Sequence, residues 1–374
     1  MRFFDVLKGA LFLAGLIVGV GFFSLPYAAR EAGFFVAAGF LAVSTGVILL
    51  VHLVLGEIVL RTKGDHGFVG YAEIYLGKWG KRISLLSGVS GLVGSLLVYL
   101  IVVGTFLNRL FPFFSQDKWV LLFSLLGFFL FYQGLRFSSK VGILAMVFLI
   151  AALILISFFS LPHFNPENIF LGSRSSWFLP YGVAMFSLVG SSSIPDLVKL
   201  FGRKNGVIKQ SIILGTLIPA VLYIFFMLAV VGATGTSTTP EAVKGLESVI
   251  GRTGVILGSA VGVLAVFTSY LVLGLYTKRV LVFDLKLPKF LGVAFSAGVP
   301  LVFYLAGFRS FVGIIGLIGA VGIGIDGVLT FLVHRQAQKT GELDPPYKIN
   351  LKSWAVFLVV ALLLAGAMQE IFKF

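Results

Sequence analysis

The amino-acid sequence predicts an all-α membrane protein, two five-helix repeats of opposite topology and one additional helix, in a single domain over residues 1–374. Three observations carry that expectation. The chain is 58% hydrophobic and only 12% charged, with a mean hydropathy of +1.05, too little polar surface for a soluble protein of this length. Its apolar residues fall into eleven stretches long enough to cross a bilayer. Two of those stretches are interrupted alike: Gly21 stands five residues before Pro26 in GLIVGVGFFSLPYAA (15–29), and Gly190 five before Pro195 in VAMFSLVGSSSIPDL (183–197).

The spans lie at about 6–30, 34–60, 83–110, 118–134, 138–161, 176–200, 207–232, 252–280, 287–306, 309–333 and 352–372. With the N-terminus in the cytoplasm, 21 of the 29 Lys and Arg residues fall on the inner side, among them Lys78, Lys81, Arg136, Lys140, Arg203, Lys204 and Lys286. Eight fall outside, among them Arg30, Arg109, Lys244, Arg309 and Lys373. That asymmetry predicts an N-terminus inside and a C-terminus outside a plasma membrane. It also accounts for the net charge of +14 without a nucleic-acid partner. With no cysteine, disulfides and thiolate metal sites are excluded. Arg2 and Lys8 ahead of an apolar run, with Ala28 and Ala29 after it, have the outline of a signal peptide. Ten further spans without an exported soluble domain keep this segment as span 1.

Span 1 and span 6 are the interrupted pair. Proline removes an N–H donor and glycine loosens the backbone, and freed polar groups in hydrocarbon persist only where they line a protected cavity. Gly190 and Pro195 follow Gly21 and Pro26 by 169 residues, and the starts of spans 8 and 9 follow those of spans 3 and 4 by the same interval. Spans 1–5 (about 6–161) and 6–10 (about 176–333) are therefore candidate repeats. Five is odd, so the second repeat is inverted relative to the first. Inverted five-helix repeats with discontinuous first helices describe the LeuT-type transporter fold, with span 11 (352–372) an addition. Between spans 2 and 3, residues 67–82 read as a short amphipathic helix. Between spans 7 and 8, Thr239 as N-cap and Pro240 as first residue predict a capped helix, either an outer lid or a packed surface helix.

The string GVGFFSLPYAAREAGF (19–34) resembles the first helix of the amino acid/auxin permease family, and GYAEIYLGKWGK (70–81) its first cytoplasmic loop. SSSIPDLVKLFGR (191–203) and TSYLVLGLY (268–276) resemble the sixth and eighth helices of the related hydroxy and aromatic amino acid permeases. The resemblance implies an amino acid transporter of the amino acid–polyamine–organocation superfamily, working by alternating access. One departure stands out. Aromatic permeases usually carry a histidine in the span 6 break, where this chain has Ser191, which argues against an aromatic substrate and against proton coupling through such a histidine.

A zwitterion needs donors for its carboxylate and acceptors for its ammonium. Amides of Gly19, Val20 and Gly21 at the span 1 break are the expected donors; carbonyls near Phe186, Ser187, Gly190 and Ser191 are the expected acceptors. The same glycines also suit plain helix packing. In sodium-coupled members of this fold, positions matching Ala265, Thr268 and Ser269 in span 8 and the carbonyls of Gly15 and Val18 in span 1 hold the ion. Thr268 and Ser269 alternatively bond back to their own helix. Some proton-coupled relatives carry a lysine inside span 5; residues 141–161 have none, which leans towards sodium.

Asp196, facing Lys199 or acting as a gate, and Asp326, a proton-coupling or gating residue or a partnered structural acid, are the intramembrane candidates. Glu57 and Arg61 read as a local ion pair, and His52 as packed; His66, His163 and His334 carry no signal. GIGIDG (322–327) matches a dinucleotide fingerprint but lies inside a span, and Asp196 with Asp326 lack the surroundings of an aspartyl protease pair. The expected function is import of a small neutral amino acid with Na+ or H+, with no enzymatic activity and no cofactor beyond the coupling ion. A proton symporter, an exchanger and a non-transporting sensor are the alternatives; the short stretch ahead of span 1 ranks the sensor lowest.

Overall fold

A computed structural model describes residues 2–134, 139–202 and 206–373. Arg136, Arg203 and Lys204, counted above to the inner side, lie outside the described residues, as do the side chains of Arg2, Lys140 and Lys373. Span 1 is α1 (Arg2–Ile17), a 3-10 turn over Val20–Ser24, and α2 (Leu25–Ala32), bent by 58° at the break. Then come α3 (Phe34–Arg61), α4 (Phe68–Leu110), α5 (Gln116–Gln133) and α6 (Ser139–Ser160). Span 6 is α7 (Leu179–Leu188), a 3-10 turn over Ser191–Ser193, and α8 (Ile194–Phe201). The remainder is α9 (Val207–Thr234), α10 (Glu247–Arg279), α11 (Lys289–Leu305), α12 (Phe311–Leu317), α13 (Ile323–Thr340) and α14 (Ser353–Lys373). Among the described residues, seven helices are long and apolar enough to cross a bilayer, eight with the bent first pair. The apolar helices Val147–His163 and Lys289–Leu305 are shorter.

Glycine sets the closest approaches. A Cβ on Gly182 of α7 meets backbone of Gly316 in α12, and one on Gly319 meets backbone of Gly182. Side chains there are replaced by main-chain contact, which is how small residues draw membrane helices together. Ile318–Gly322, between α12 and α13, is a π-turn, one residue per turn wider than the flanking helix.

The connections differ in how well they follow expectation. In α4, Phe68–Leu76 forms the short helix anticipated between spans 2 and 3, turned from span 3 at Gly77, whose φ of 69° suits glycine. It buries Tyr71, Ala72 and Tyr75 and exposes Glu73 and Ile74. The helix expected from Thr239 is absent. Pro240–Val243 is a turn in which Ala242 takes φ 61°, and helical structure starts at the 3-10 turn Lys244–Leu246. Thr239 Oγ1 accepts from Gly245 N–H six residues on, so it closes a loop and caps no helix. Tertiary packing overrides the local signal: Ala242, Val243 and Leu246 are fully buried and Glu241 pairs with Arg109 of α4.

Candidate functional site

The two breaks share one construction. A helix ends, two residues leave helical geometry, a 3-10 turn follows, and a second helix starts with proline in its first turn, where a missing N–H is tolerated. The prolines keep the 169-residue interval, but the first 3-10 turn has five residues and the second three. Gly19 and Gly190 each immediately precede their 3-10 turn, whereas Gly21, which stands 169 residues before Gly190, lies inside the first turn. Gly21 has a packing role: a Cβ there would lie 2.8 Å from Phe186 and Ser187 side-chain atoms. In return a Cβ on Gly190 would lie 2.5 Å from Ile17. Positions 21 and 186 thus pair as 190 and 17 do, exchanged by the offset of 169.

Two polar ties cross this junction. Tyr223 of α9 donates its hydroxyl to Ile17 O at 3.3 Å and Ser187 O at 3.2 Å, the carbonyl ends of α1 and α7. Gly190 N–H donates to His52 Nε2 at 3.1 Å, and His52 Nδ1 lies 3.0 Å from Thr216 Oγ1 of α9. Ser187 Oγ is engaged by Val183 O at 2.8 Å, leaving its carbonyl as its contribution at the junction.

A cavity of about 560 Å³ runs from this junction to one end of the molecule. Its deep wall holds Phe186, Val189, Ser191 and Ser192 of the span 6 break, with Asp326 on α13; its mouth holds exposed Asp65 and Gly67. Of the expected substrate residues, Phe186 and Ser191 line it, whereas Gly19 is half-buried elsewhere, 3.9 Å (as a notional Cβ) from Tyr99 Oη. Val20, Gly21, Ser187 and Gly190 are buried in the junction itself. Gly15 and Val18 are buried in span 1. Thr268 Oγ1 donates to Leu264 O at 3.2 Å and Ala265 O at 2.9 Å, bonding back to its own helix.

The opposite end is filled. Phe22 and Phe23 stack at 4.2 Å, Phe22 meets Phe226 at 5.1 Å and Phe23 meets Phe106 at 5.7 Å, all four fully buried. Above them the 238–246 segment is fastened by Arg109–Glu241 and by Arg30 donating to Thr238 O at 3.3 Å.

The family model for tryptophan/tyrosine permeases matches residues 4–369. The chain belongs to this family. The chain is a multi-pass membrane protein and, as a member of a permease family, not an enzyme. It is 23% identical to "Glutamine transporter 2" of Aliivibrio fischeri (strain ATCC 700601 / ES114), with 61% of each chain aligned. It is 25% identical to "Tryptophan-specific transport protein" of Shigella flexneri over 61% of this chain and 58% of that one. It is 24% identical to "Tyrosine-specific transport system 1" of Haemophilus influenzae (strain ATCC 51907 / DSM 11121 / KW20 / Rd) over 71% and 70%. The aligned stretch thus spans about three-fifths of the length of the first two relatives. Among solved structures, MhsT in complex with L-phenylalanine superposes with TM-score 0.64 at 16% identity, covering 98% of this chain and 97% of that one. Mhp1, a nucleobase-cation-symport-1 family transporter in a closed conformation with bromovinylhydantoin bound, gives 0.61 at 15%, covering 97% and 90%. The fold of the chain is LeuT-type.

Several of the permease's polar residues were misplaced by sequence reasoning. Lys199 pairs with Asp65 of the loop after α3 and not with Asp196, which is exposed. His334, set aside as a span end, is buried in α13 with Nε2 3.0 Å from Glu57 Oε2. Glu57 also takes Arg61 Nε at 2.8 Å and Ile349 N–H at 2.6 Å, while Tyr347 donates to Leu53 O at 2.8 Å. Burial, then the charge of Glu57, pushes the Tyr347 phenol up, which keeps it a neutral donor. Asp326 lines the cavity with Oδ1 buried and unpartnered, and nearby Ser87 donates to Gly322 O at 3.2 Å. His52 is packed, as expected, but its bond to the span 6 break and the part played by Tyr223 escaped the sequence reading, because no local motif marks a residue whose partner is a distant main-chain break.

Proposed function

We propose that the protein is a secondary active transporter that imports a neutral amino acid with a co-transported cation, sodium favoured, by alternating access in the plasma membrane. The carrying observation is the pair of chain breaks packed against each other, the second of them lining the deep wall of a cavity that opens to one side. Amides after Gly19 offer hydrogen bonds to a carboxylate, and carbonyl ends of α1 and α7 offer them to an ammonium. The apolar wall of Phe186 and Val189 suits an apolar or aromatic side chain. Relatives named for tryptophan, tyrosine and glutamine fit a neutral substrate. The lack of a histidine at position 191 argues less against an aromatic one, since His52 reaches the same break from α3.

The cavity mouth carries the loops that the positive-charge count assigns to the cytoplasm, so the conformation described is inward-facing, with the 238–246 segment as the closed outer lid. Sodium would be held by Gly15 O, Val18 O, Ala265 O and the hydroxyls of Thr268 and Ser269. It would take Ala265 O and the Thr268 hydroxyl from their present bond to each other. Asp326 supports a second reading, proton coupling, because it is an ionisable residue on the cavity wall whose Oδ1 is buried without a partner.

Uptake of labelled L-tryptophan, L-tyrosine and L-glutamine into proteoliposomes, with and without an inward sodium gradient at constant pH, is the test. Sodium-dependent accumulation that Thr268→Ala weakens about tenfold supports sodium symport. Accumulation that follows a proton gradient and is lost in Asp326→Asn replaces it with proton symport. Uptake only against preloaded amino acid makes the protein an exchanger, and binding without uptake makes it a sensor.

A further inference from the structure

The junction of the breaks assembles groups that oppose one another or lack partners within their own helices. α1 and α7 both end there, so the negative ends of two helix dipoles face each other. A single hydroxyl, that of fully buried Tyr223, lies between Ile17 O and Ser187 O and donates to both. Gly190 N–H has left the ladder of α7, and its acceptor is an imidazole from another helix. An amide only donates, so His52 Nε2 carries the lone pair. The ring proton is then on Nδ1, which donates to Thr216 Oγ1. A doubly protonated ring would set N–H against N–H at Gly190 and lose that bond. His52, Thr216 and Tyr223 are all 0% exposed, and none lines the cavity.

The geometry points to His52 and Tyr223 as the positioning residues of the transport site. From α3 and α9 they fix the two breaks relative to each other, so the groups offered to substrate are set before it arrives. Because each tie links different helices, they also join spans 1, 2, 6 and 7 into one body. This inference rests on the transporter reading above. Neither lines the cavity; each acts through a main-chain group of a break, His52 through Gly190 N–H and Tyr223 through Ile17 O and Ser187 O.

The test uses the full-length protein in proteoliposomes, with initial rates of L-tryptophan, L-tyrosine and L-glutamine uptake against concentration. His52→Leu removes both ring bonds, His52→Gln retains an acceptor and a donor, and Tyr223→Phe removes one hydroxyl. His52→Leu is expected to raise KM about tenfold or more with a smaller change in maximal rate, and His52→Gln to recover it to within about threefold. Tyr223→Phe is expected to raise KM about fivefold. Should His52→Leu fail to fold, Thr216→Val removes the ring's anchor and raises KM about threefold. Unchanged KM in these variants overturns the inference and leaves transport standing. So does a His52→Gln protein that binds substrate normally but no longer responds to a proton gradient, because the imidazole would then act by titration. Folded wild-type protein that accumulates none of the three amino acids overturns the transporter reading and this inference together.

Discussion

The two ends of the molecule are closed by different means. One is plugged by four fully buried phenylalanine rings and roofed by a segment fastened to Arg109 and Arg30. The other is hollow, and the charged pair at its mouth, Asp65–Lys199, is exposed on both sides. Aromatic packing and a partly buried ion pair hold a closed door firmly, whereas a solvated ion pair adds little. The asymmetry therefore predicts where substitution shifts the conformational balance and where it does not. Between the two ends lies the junction of the breaks.

The largest effect is expected where that partition is thinnest. Gly21→Leu forces a side chain into Phe186 and Ser187, where even a Cβ would lie 3.1 Å from the Ser187 Cα. Backbone must move, and uptake should fall by about a hundredfold or more. Gly46→Leu, which meets nothing within 4 Å, is the control and should transport normally. Equal activity of both variants would remove the junction from the transport path.

The roof comes next. Glu241→Gln leaves Arg109, whose Nη1 is already buried and unpartnered, without its counter-charge. The closed outer end should lose about 1–3 kcal/mol relative to the open one, roughly a five- to hundredfold shift. Native cysteines are absent, so a single Phe23→Cys reports on access without background. Its labelling by an impermeant thiol reagent from the roofed side should speed up at least about fivefold in the Glu241→Gln background. Unaltered labelling would make the roof mere surface packing.

These two sites also mark the limits of sequence reading. The breaks were legible because glycine and proline act on their own backbone, whatever surrounds them. The sequence set Gly21 opposite Gly190, and their reciprocal packing keeps that offset of 169. What the sequence did not show is that the 3-10 turns differ in length, so that Gly19 precedes the first turn as Gly190 precedes the second. The roof was misread because Thr239-Pro240 is a sound local cap, outweighed by burial of Ala242 and Val243 and by a charge 132 residues away. His52 was legible as a packed residue, but its partner 138 residues away was not, nor was Tyr223, whose partner Ile17 is 206 residues distant. Glu57–Arg61 was legible as an i,i+4 pair, but His334 and Ile349, which make it a hub, were not.

That hub gives the third prediction. Glu57 is fully buried with three donors, so Glu57→Gln weakens the bonds to Arg61 and His334 that hold α13 and the 341–349 strap beneath α3. A loss of about 2–4 kcal/mol of stability is expected, read as a lower Tm of the purified protein. Uptake per folded molecule should change less than Tm implies, since no atom of this cluster reaches the breaks. A normal Tm with abolished uptake would instead place the hub in the conformational change.

The smallest effect is expected at the hollow end, and its smallness is the point. Asp65 and Lys199 bridge the loop after α3 to α8, and on a drawing they look like the counterpart of Arg109–Glu241. Their side chains are 73% and 64% exposed, so water and salt screen the attraction and ordering two long side chains offsets most of it. Lys199→Gln should leave Tm, uptake and Phe23→Cys labelling unchanged within error, at low salt as at high. Were labelling of Phe23→Cys to slow while uptake rose or fell severalfold, the inner pair would be a latch after all. The two ends would then be closed by the same kind of bond, and their difference would reduce to the phenylalanine plug.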